Sequence, residues 1–139
     1  MTSGYSGTPI VKKLGIKPGF RIAILNAPND YDATLGELPP DVVRYDTLQD
    51  SLDLIQFFAR DRSEFESHYA ALKQALKQDG ALWISWYKKS AKIPTDITED
   101  VIRDYALANG LVDVKVAAVD ELWSGLKLVY RVKDRNASP

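Results

Sequence analysis

The sequence predicts one α/β domain built on a mostly parallel sheet that finishes in an antiparallel hairpin. Three observations carry this. The runs FRIAIL (20–25), LDLIQFFA (52–59) and ALWISW (81–86) are apolar without alternation, as expected of strands covered on both faces. Between and after them lie two amphipathic stretches with helical spacing. Beyond Gly110 the pattern changes to a period of two, which suits a hairpin with one wetter face.

Taken in order, Thr8-Pro9 opens a short helix in which Ile10, Val11 and Leu14 share a side and Gly15 ends the turn, because proline in a first turn loses no needed N–H. Lys17-Pro18-Gly19 turns into the first strand. Residues 63–77 form a helix, with Ser63 and Glu66 as a capping box and Phe65, Tyr69, Leu72 and Leu76 as its apolar stripe,. Gln78-Asp79-Gly80 ends that helix. A second helix runs over 97–109, with Ile97, Val101, Tyr105 and Ala108 facing inward and Gly110 as its stop,. Val112, Val114, Val116 and Ala118 then alternate with polar residues, as do Leu126, Leu128, Tyr130 and Val132, across a connection at 120–125. Residues 42–45 are an awkward strand. Only 46–51 separate them from the next one, whereas a helical crossover needs about a dozen residues or more. Either the strand is short and returns by an extended loop, or it does not pair as a parallel neighbour.

Composition bounds the function. The chain has 139 residues, 45% of them hydrophobic and 27% charged, ordinary for one globular domain. A single domain over 8–135 is expected, with Gly/Ser-rich residues 1–7 and residues 136–139 as flexible tails. The formal net charge is −1, and no basic, aromatic-interleaved stripe is present, so nucleic acid is not an expected partner. There is no cysteine and one histidine. That excludes disulfides, thiolate nucleophiles, zinc–cysteine sites and histidine-rich metal centres. No apolar run approaches a membrane span, no signal peptide is visible, and a cytoplasmic location is expected.

The run LGIKPGFRIAIL (14–25) resembles the lead-in to the first strand of class I, S-adenosylmethionine-dependent methyltransferases. LKQDGALWISW (76–86) resembles a later strand entry, and the closing helix, Gly110-Leu111, strand, loop and strand resemble their antiparallel finish. The resemblance implies a Rossmann-like, methyltransferase-like sheet with compressed second and third units. Over nearly the full length, SGYSGTPIVKKLGIKPG, WISWYKK, PTDITEDVIRDYAL and LVDVKVAAVDELWSGLKLVYRVKDR resemble a family of short bacterial proteins to which no activity is assigned. After the first strand, methyltransferases place a glycine-rich turn that admits the cofactor. This chain has Asn26-Ala27-Pro28-Asn29-Asp30, with no glycine between Gly19 and Gly36. Pro28 has no N–H to offer and Ala27 carries a methyl group where ligand should pass. No cofactor is therefore expected, S-adenosylmethionine being the one the fold would take. Asp46 stands where the resemblance puts a ribose-gripping acid, and a turn or cap role is its alternative.

Ligands of open α/β sheets bind beyond the carboxyl ends of the strands. Asn26, Arg60, Lys88 and Lys89 lie there, with Asp46 after the doubtful strand, and together they form a candidate vestigial or anion site. The alternative is a solvated rim with local ion pairs. His68 has no nucleophile or metal motif beside it and reads as a boundary residue. Glu99-Asp100 suit a helix N-terminus. Asp120-Glu121 lie in the hairpin connection and face no second acid. Trp83 should be buried and Trp86 should end a strand. Trp123, in the hairpin connection, either packs on its own domain or anchors a partner. Tyr5 is a candidate to fold back over the sheet edge. Two functional readings follow: a non-catalytic binding or interaction module, with a protein or small molecule as partner, or a divergent small-molecule enzyme with an atypical loop. Oligomeric state stays open.

Overall fold

The computed structural model describes residues 8–135. The elements are α1 (Ile10–Leu14), β1 (Arg21–Leu25), α2 (Tyr31–Leu35), β2 (Val43–Tyr45), β3 (Leu52–Phe58), α3 (Arg62–Ala75), β4 (Leu76–Tyr87), α4 (Glu99–Ala108), β5 (Leu111–Ala118), β6 (Trp123–Tyr130) and α5 (Val132–Arg135). They build one six-stranded sheet in the order β2-β1-β3-β4-β6-β5. β2, β1, β3 and β4 run parallel, and β6 and β5 add the antiparallel finish. This is the fold class the sequence predicts. No helix among the described residues is long and apolar enough to cross a membrane.

The short strand pairs after all. Arg21, Ile22 and Ala23 of β1 lie beside Val43, Arg44 and Tyr45, and the chain returns to β3 by the loop 46–51. Tyr45 sits level with Ala23, whereas Leu54 sits level with Ile22. The return therefore spans two strand spacings and about three residues of rise, roughly 14 Å. Six extended residues reach about 20 Å, so no helix is needed.

Each sheet face has its own core. On one face α3 and α4 cover Ile55, Phe57, Leu82, Ile84, Leu126 and Leu128. On the other, α1 and α2 cover Ile22, Ile24, Leu54, Phe58, Trp83 and Trp123. Polar residues cross this second core as a buried relay. The Tyr31 hydroxyl donates to Gln56 Oε1 at 2.6 Å, and Gln56 Nε2 donates to Ser85 Oγ at 3.1 Å. Because each group in the relay has a partner, its burial is tolerated.

Several boundaries differ from the sequence expectation. The cap of α3 is Asp61, which accepts from the Glu64 N–H at 2.8 Å. Ser63 and Glu66 make no capping box, and Glu66 instead pairs with Arg62 at 2.7 Å. α3 stops at Ala75 and β4 begins at once. Leu52 pairs with Leu76 but Leu54 with Ala81, so residues 77–80 bulge out rather than extend the helix. In α4 the fully buried residues are Ile102 and Ala106. Ala108 is exposed and Val101 and Tyr105 are only partly covered, because α4 starts two residues later, at a Thr98 cap, and lies turned on the sheet. In β5 a register shift between Asp113 and Lys115 breaks the alternation, leaving Val114 52% and Val116 47% exposed. Val132 leaves the strand pattern for α5 and is 71% exposed.

The bulge makes a prediction. A Cβ at Gly80 would lie 2.9 Å from the Asp53 carbonyl oxygen and 2.9 Å from Leu76 Cδ1. Backbone cannot yield as a side-chain tip does, so Gly80→Ala is expected to cost about 1–3 kcal/mol, read as a lower urea midpoint with an unchanged slope.

Candidate functional site at the carboxyl edge of the sheet

The chain leaves β1 for β2 on one side, while β3 lies on the other. Strand order thus reverses between β1 and β3, the position where such sheets open a ligand crevice. Asn26 stands at this point with φ 63°. The left-handed kink that glycine would normally supply is kept, and asparagine supplies it.

Side-chain hydrogen bonds cross this point. Asn26 Nδ2 donates to the Phe58 carbonyl at 2.7 Å and to Glu64 Oε2 at 2.9 Å. Glu64 Oε1 accepts from the Arg60 N–H at 2.8 Å. The Arg60 guanidinium donates to the Asn26 carbonyl at 3.0 Å and lies 5.6 Å from the centre of the Trp123 ring. Asn26 and Arg60 thus meet, and their polar groups bond to β1, β3 and α3. Pro28 contributes its carbonyl, which accepts from the Tyr31 N–H at 3.0 Å. Tyr31, 1% exposed, pins the loop into the core below. Ala27 packs on the same core.

The remaining candidates lie elsewhere. Asp46 stands exposed after β2; since Tyr45 is level with Ala23, Asp46 falls two residues short of Asn26. Lys88 and Lys89 line a separate cleft of about 880 Å3 at the carboxyl end of β4, whose walls include Trp86, Tyr87, Thr98 and Glu99. The two acids at the start of α4 are engaged along their own helix: Glu99 pairs with Arg103, and Asp100 pairs with Arg103 at 2.7 Å. The segment entering α4 is stapled across the sheet edge. Thr95 Oγ1 donates to the Arg60 carbonyl at 2.7 Å, and Asp96 Oδ1 accepts from the Arg62 N–H at 2.8 Å. Lys13 reaches the rim from α1, donating to the Ala118 carbonyl at 3.0 Å. Burial, then the charge of Lys88, lowers its ammonium pKa below the usual value.

Trp123 is corrected as a partner anchor. It begins β6 rather than lying in a loop, and it is 2% exposed. Its ring stacks on Tyr87 with centroids 4.2 Å apart and meets the edge of Phe58 at 4.9 Å. The turn around it closes on Asp120, whose Oδ1 accepts from the Leu122 and Trp123 N–H groups. His68 is exposed on α3, its Nδ1 2.8 Å from the Glu64 carbonyl, and tilts on Phe57. Among the described residues no acid or histidine group is arranged to hold a metal. Tyr5 lies outside the described residues.

Sequence reading overlooked Glu64, Thr95 and Asp96, and it overlooked the relay. The relay had a signal: Gln56 and Ser85 are polar residues inside the apolar runs LDLIQFFA and ALWISW. The other three carried none, because Asn26, Arg60 and Arg62, their respective partners across the edge, lie 34 or more positions away.

The fold and its edge define a class, the Rossmann-like domain of methyltransferase type. Solved structures with this fold include a SAM dependent methyltransferase from Aquifex aeolicus, 16% identical, TM-score 0.61, covering 86% of each chain. A TehB-like SAM-dependent methyltransferase from Corynebacterium glutamicum is 12% identical with TM-score 0.56, over 88% of this chain and 85% of that one. Magnesium protoporphyrin IX methyltransferase from Synechocystis, solved with bound SAM, is 11% identical with TM-score 0.55, over 88% of this chain and 74% of its own. Identities this low establish the fold alone. No protein-family profile and no curated protein sequence matches the chain.

Proposed function

We propose that this chain is a non-catalytic binding module on a methyltransferase-like fold, with its ligand cleft at the carboxyl end of β4 instead of the β1–β3 crevice. The observation that carries the reading is the Asn26–Glu64–Arg60 tie across that crevice. Its donors and acceptors satisfy one another, so a ligand entering there must displace several bonds and supply equivalents.

Isothermal titration with S-adenosylmethionine and S-adenosylhomocysteine tests it. No saturable heat is expected at millimolar ligand, and one-to-one binding would overturn the reading in favour of a divergent enzyme. That alternative draws on the neighbours, which are SAM-dependent methyltransferases, and on the left-handed residue kept at Asn26.

Lys88 and Lys89 line the β4 cleft together with Trp86 and Tyr87, a lining of cationic and aromatic residues that would suit a small organic anion with a flat apolar body. Benzoate and phthalate are the probes. At ten times Kd, binding adds about 1.4 kcal/mol, which raises Tm by roughly 3–5 °C in a chain of this size. Lys88→Met/Lys89→Met should abolish that shift while leaving the unliganded Tm within a degree or two. An unchanged shift in the double variant would refute the assignment.

A further inference from the structure

The opposite end of the α1 and α2 face carries an arrangement that neither the fold nor the β4 cleft explains. Lys115 of β5 pairs directly with Lys127 of β6, and Lys127 in turn pairs with Trp83 of β4. Trp83 belongs to the α1/α2-side core, whereas Leu126 and Leu128 belong to the other. Alternation therefore puts Lys127, and Lys115 opposite it, on the Trp83 face. Like charges directly opposite on neighbouring strands repel. Lys17 follows Ile16 in the turn after α1, a helix that packs on the Trp83 core and whose Leu14 carbonyl accepts from Trp83 Nε1 at 3.0 Å, so it completes a group of three on this face. Burial, then the charges of Lys115 and Lys17, pulls the Lys127 ammonium below its ordinary pKa.

Two acids of the β5–β6 hairpin are engaged elsewhere. Asp113, two residues from Lys115, is turned to Arg103 at 3.0 Å. Asp120 holds the hairpin turn. Among the described residues, the ion pairs involve none of Lys17, Lys115 and Lys127. Protection of a sheet edge by lysine accounts for Lys115, since β5 is an outer strand, but not for Lys127, which lies one strand in.

We propose that Lys17, Lys115 and Lys127 form a binding site for a small multivalent oxyanion of the phosphate class. Such a ligand would replace mutual repulsion with charge-assisted hydrogen bonds from three ammonium groups. The half-buried Lys127 beside Trp83 would give the site a floor, and Lys17 and Lys115, both exposed, its walls.

The test is a titration with pyrophosphate at constant ionic strength, followed by NMR at the lysine side-chain Hε/Cε pairs. Saturable shifts are expected at Lys17, Lys115 and Lys127, with Lys133 as an exposed reference. Lys127→Met, which keeps the apolar stem, should weaken binding at least tenfold. Lys115→Met, on the exposed outer strand, serves the same purpose if the first variant folds poorly. Uniform shifts at all lysines, or binding that persists in both variants, would overturn the proposal. Saturation confined to Lys88 and Lys89 would overturn it too while supporting the β4 cleft, so the two assignments fail separately. Tighter binding of a hexaglutamate peptide than of pyrophosphate would replace the small ligand with an acidic protein surface and equally refute the proposal as stated.

Discussion

Trp83→Ala is expected to lower stability by about 3–5 kcal/mol, the range for removing a large aromatic side chain from a packed core. Trp83 is wholly buried on β4. Its indole Nε1 donates to the Leu14 carbonyl at 3.0 Å, at the last residue of α1. Its ring also lies against Gly125 of β6, where an added Cβ would approach within 3.1 Å of Cε3. Truncation therefore leaves a cavity between β4 and β6 and strips a buried carbonyl of its donor. α1 makes its main seat on this core through Ile10, Val11 and Leu14, so it should loosen first. Trp83→Phe separates the two effects. It keeps most of the packing and loses the donor, at a cost of about 1–3 kcal/mol. Urea unfolding measures both. A Trp83→Ala protein within about 1 kcal/mol of the parent would show that α1 is not seated as described.

The second large effect is alkaline. Burial, the dominant cause, raises the pKa of both the Tyr31 and Tyr69 hydroxyls well above the ordinary value, and Tyr69 is raised further by neighbouring Tyr130 and Tyr105. Both residues are nearly inaccessible, at 1% and 3%. In the unfolded chain a tyrosine releases its proton near pH 10. Above that, the unfolded state binds fewer protons than the folded one, so stability must fall as pH rises. The two hydroxyls therefore contribute stability that is complete below about pH 10 and is lost above it, at up to about 1.4 kcal/mol per pH unit for each. Tm measured at pH 9, 10 and 11 should drop steeply over the last step. The drop should be shallower in Tyr69→Phe and in Tyr31→Phe. The latter should also be less stable at neutral pH, because Gln56 Oε1 loses its donor. Equal slopes in the parent and both variants would refute the account.

The architecture was legible because it rests on local signals. Unalternating apolar runs foretold β1, β3 and β4; the Phe65–Tyr69–Leu72 stripe foretold α3; and the change of period after Gly110 foretold the hairpin. Boundaries were less legible where tertiary contact overrode local grammar. Ser63 and Glu66 have the spacing of a capping box, yet Asp61 caps α3. Glu64 is drawn back to the Arg60 N–H and across to Asn26, so the helix starts earlier. Gln78-Asp79-Gly80 look like a helix stop after Lys77, but residues 77–80 bulge from β4, where Lys77 reaches Asp53 at 3.0 Å. Trp123 looked like a loop residue because Asp120, Glu121 and Gly125 surround it. Its aromatic partners Phe58 and Tyr87 come from other strands and place it in a core.

The candidate site divides in the same way. From the sequence alone it followed that the β1 exit lacks glycine and that Asn26, Arg60, Lys88 and Lys89 end parallel strands, since both depend only on residue type and element order. Two further facts belong to the tertiary structure. Asn26 takes the left-handed turn itself and bonds with Glu64 and Arg60 across the β1–β3 edge, while Lys88 and Lys89 line a different cleft. Those pairings join residues some 30 or more positions apart through the packing of β1, β3 and α3, and periodicity within a single element carries no information about them.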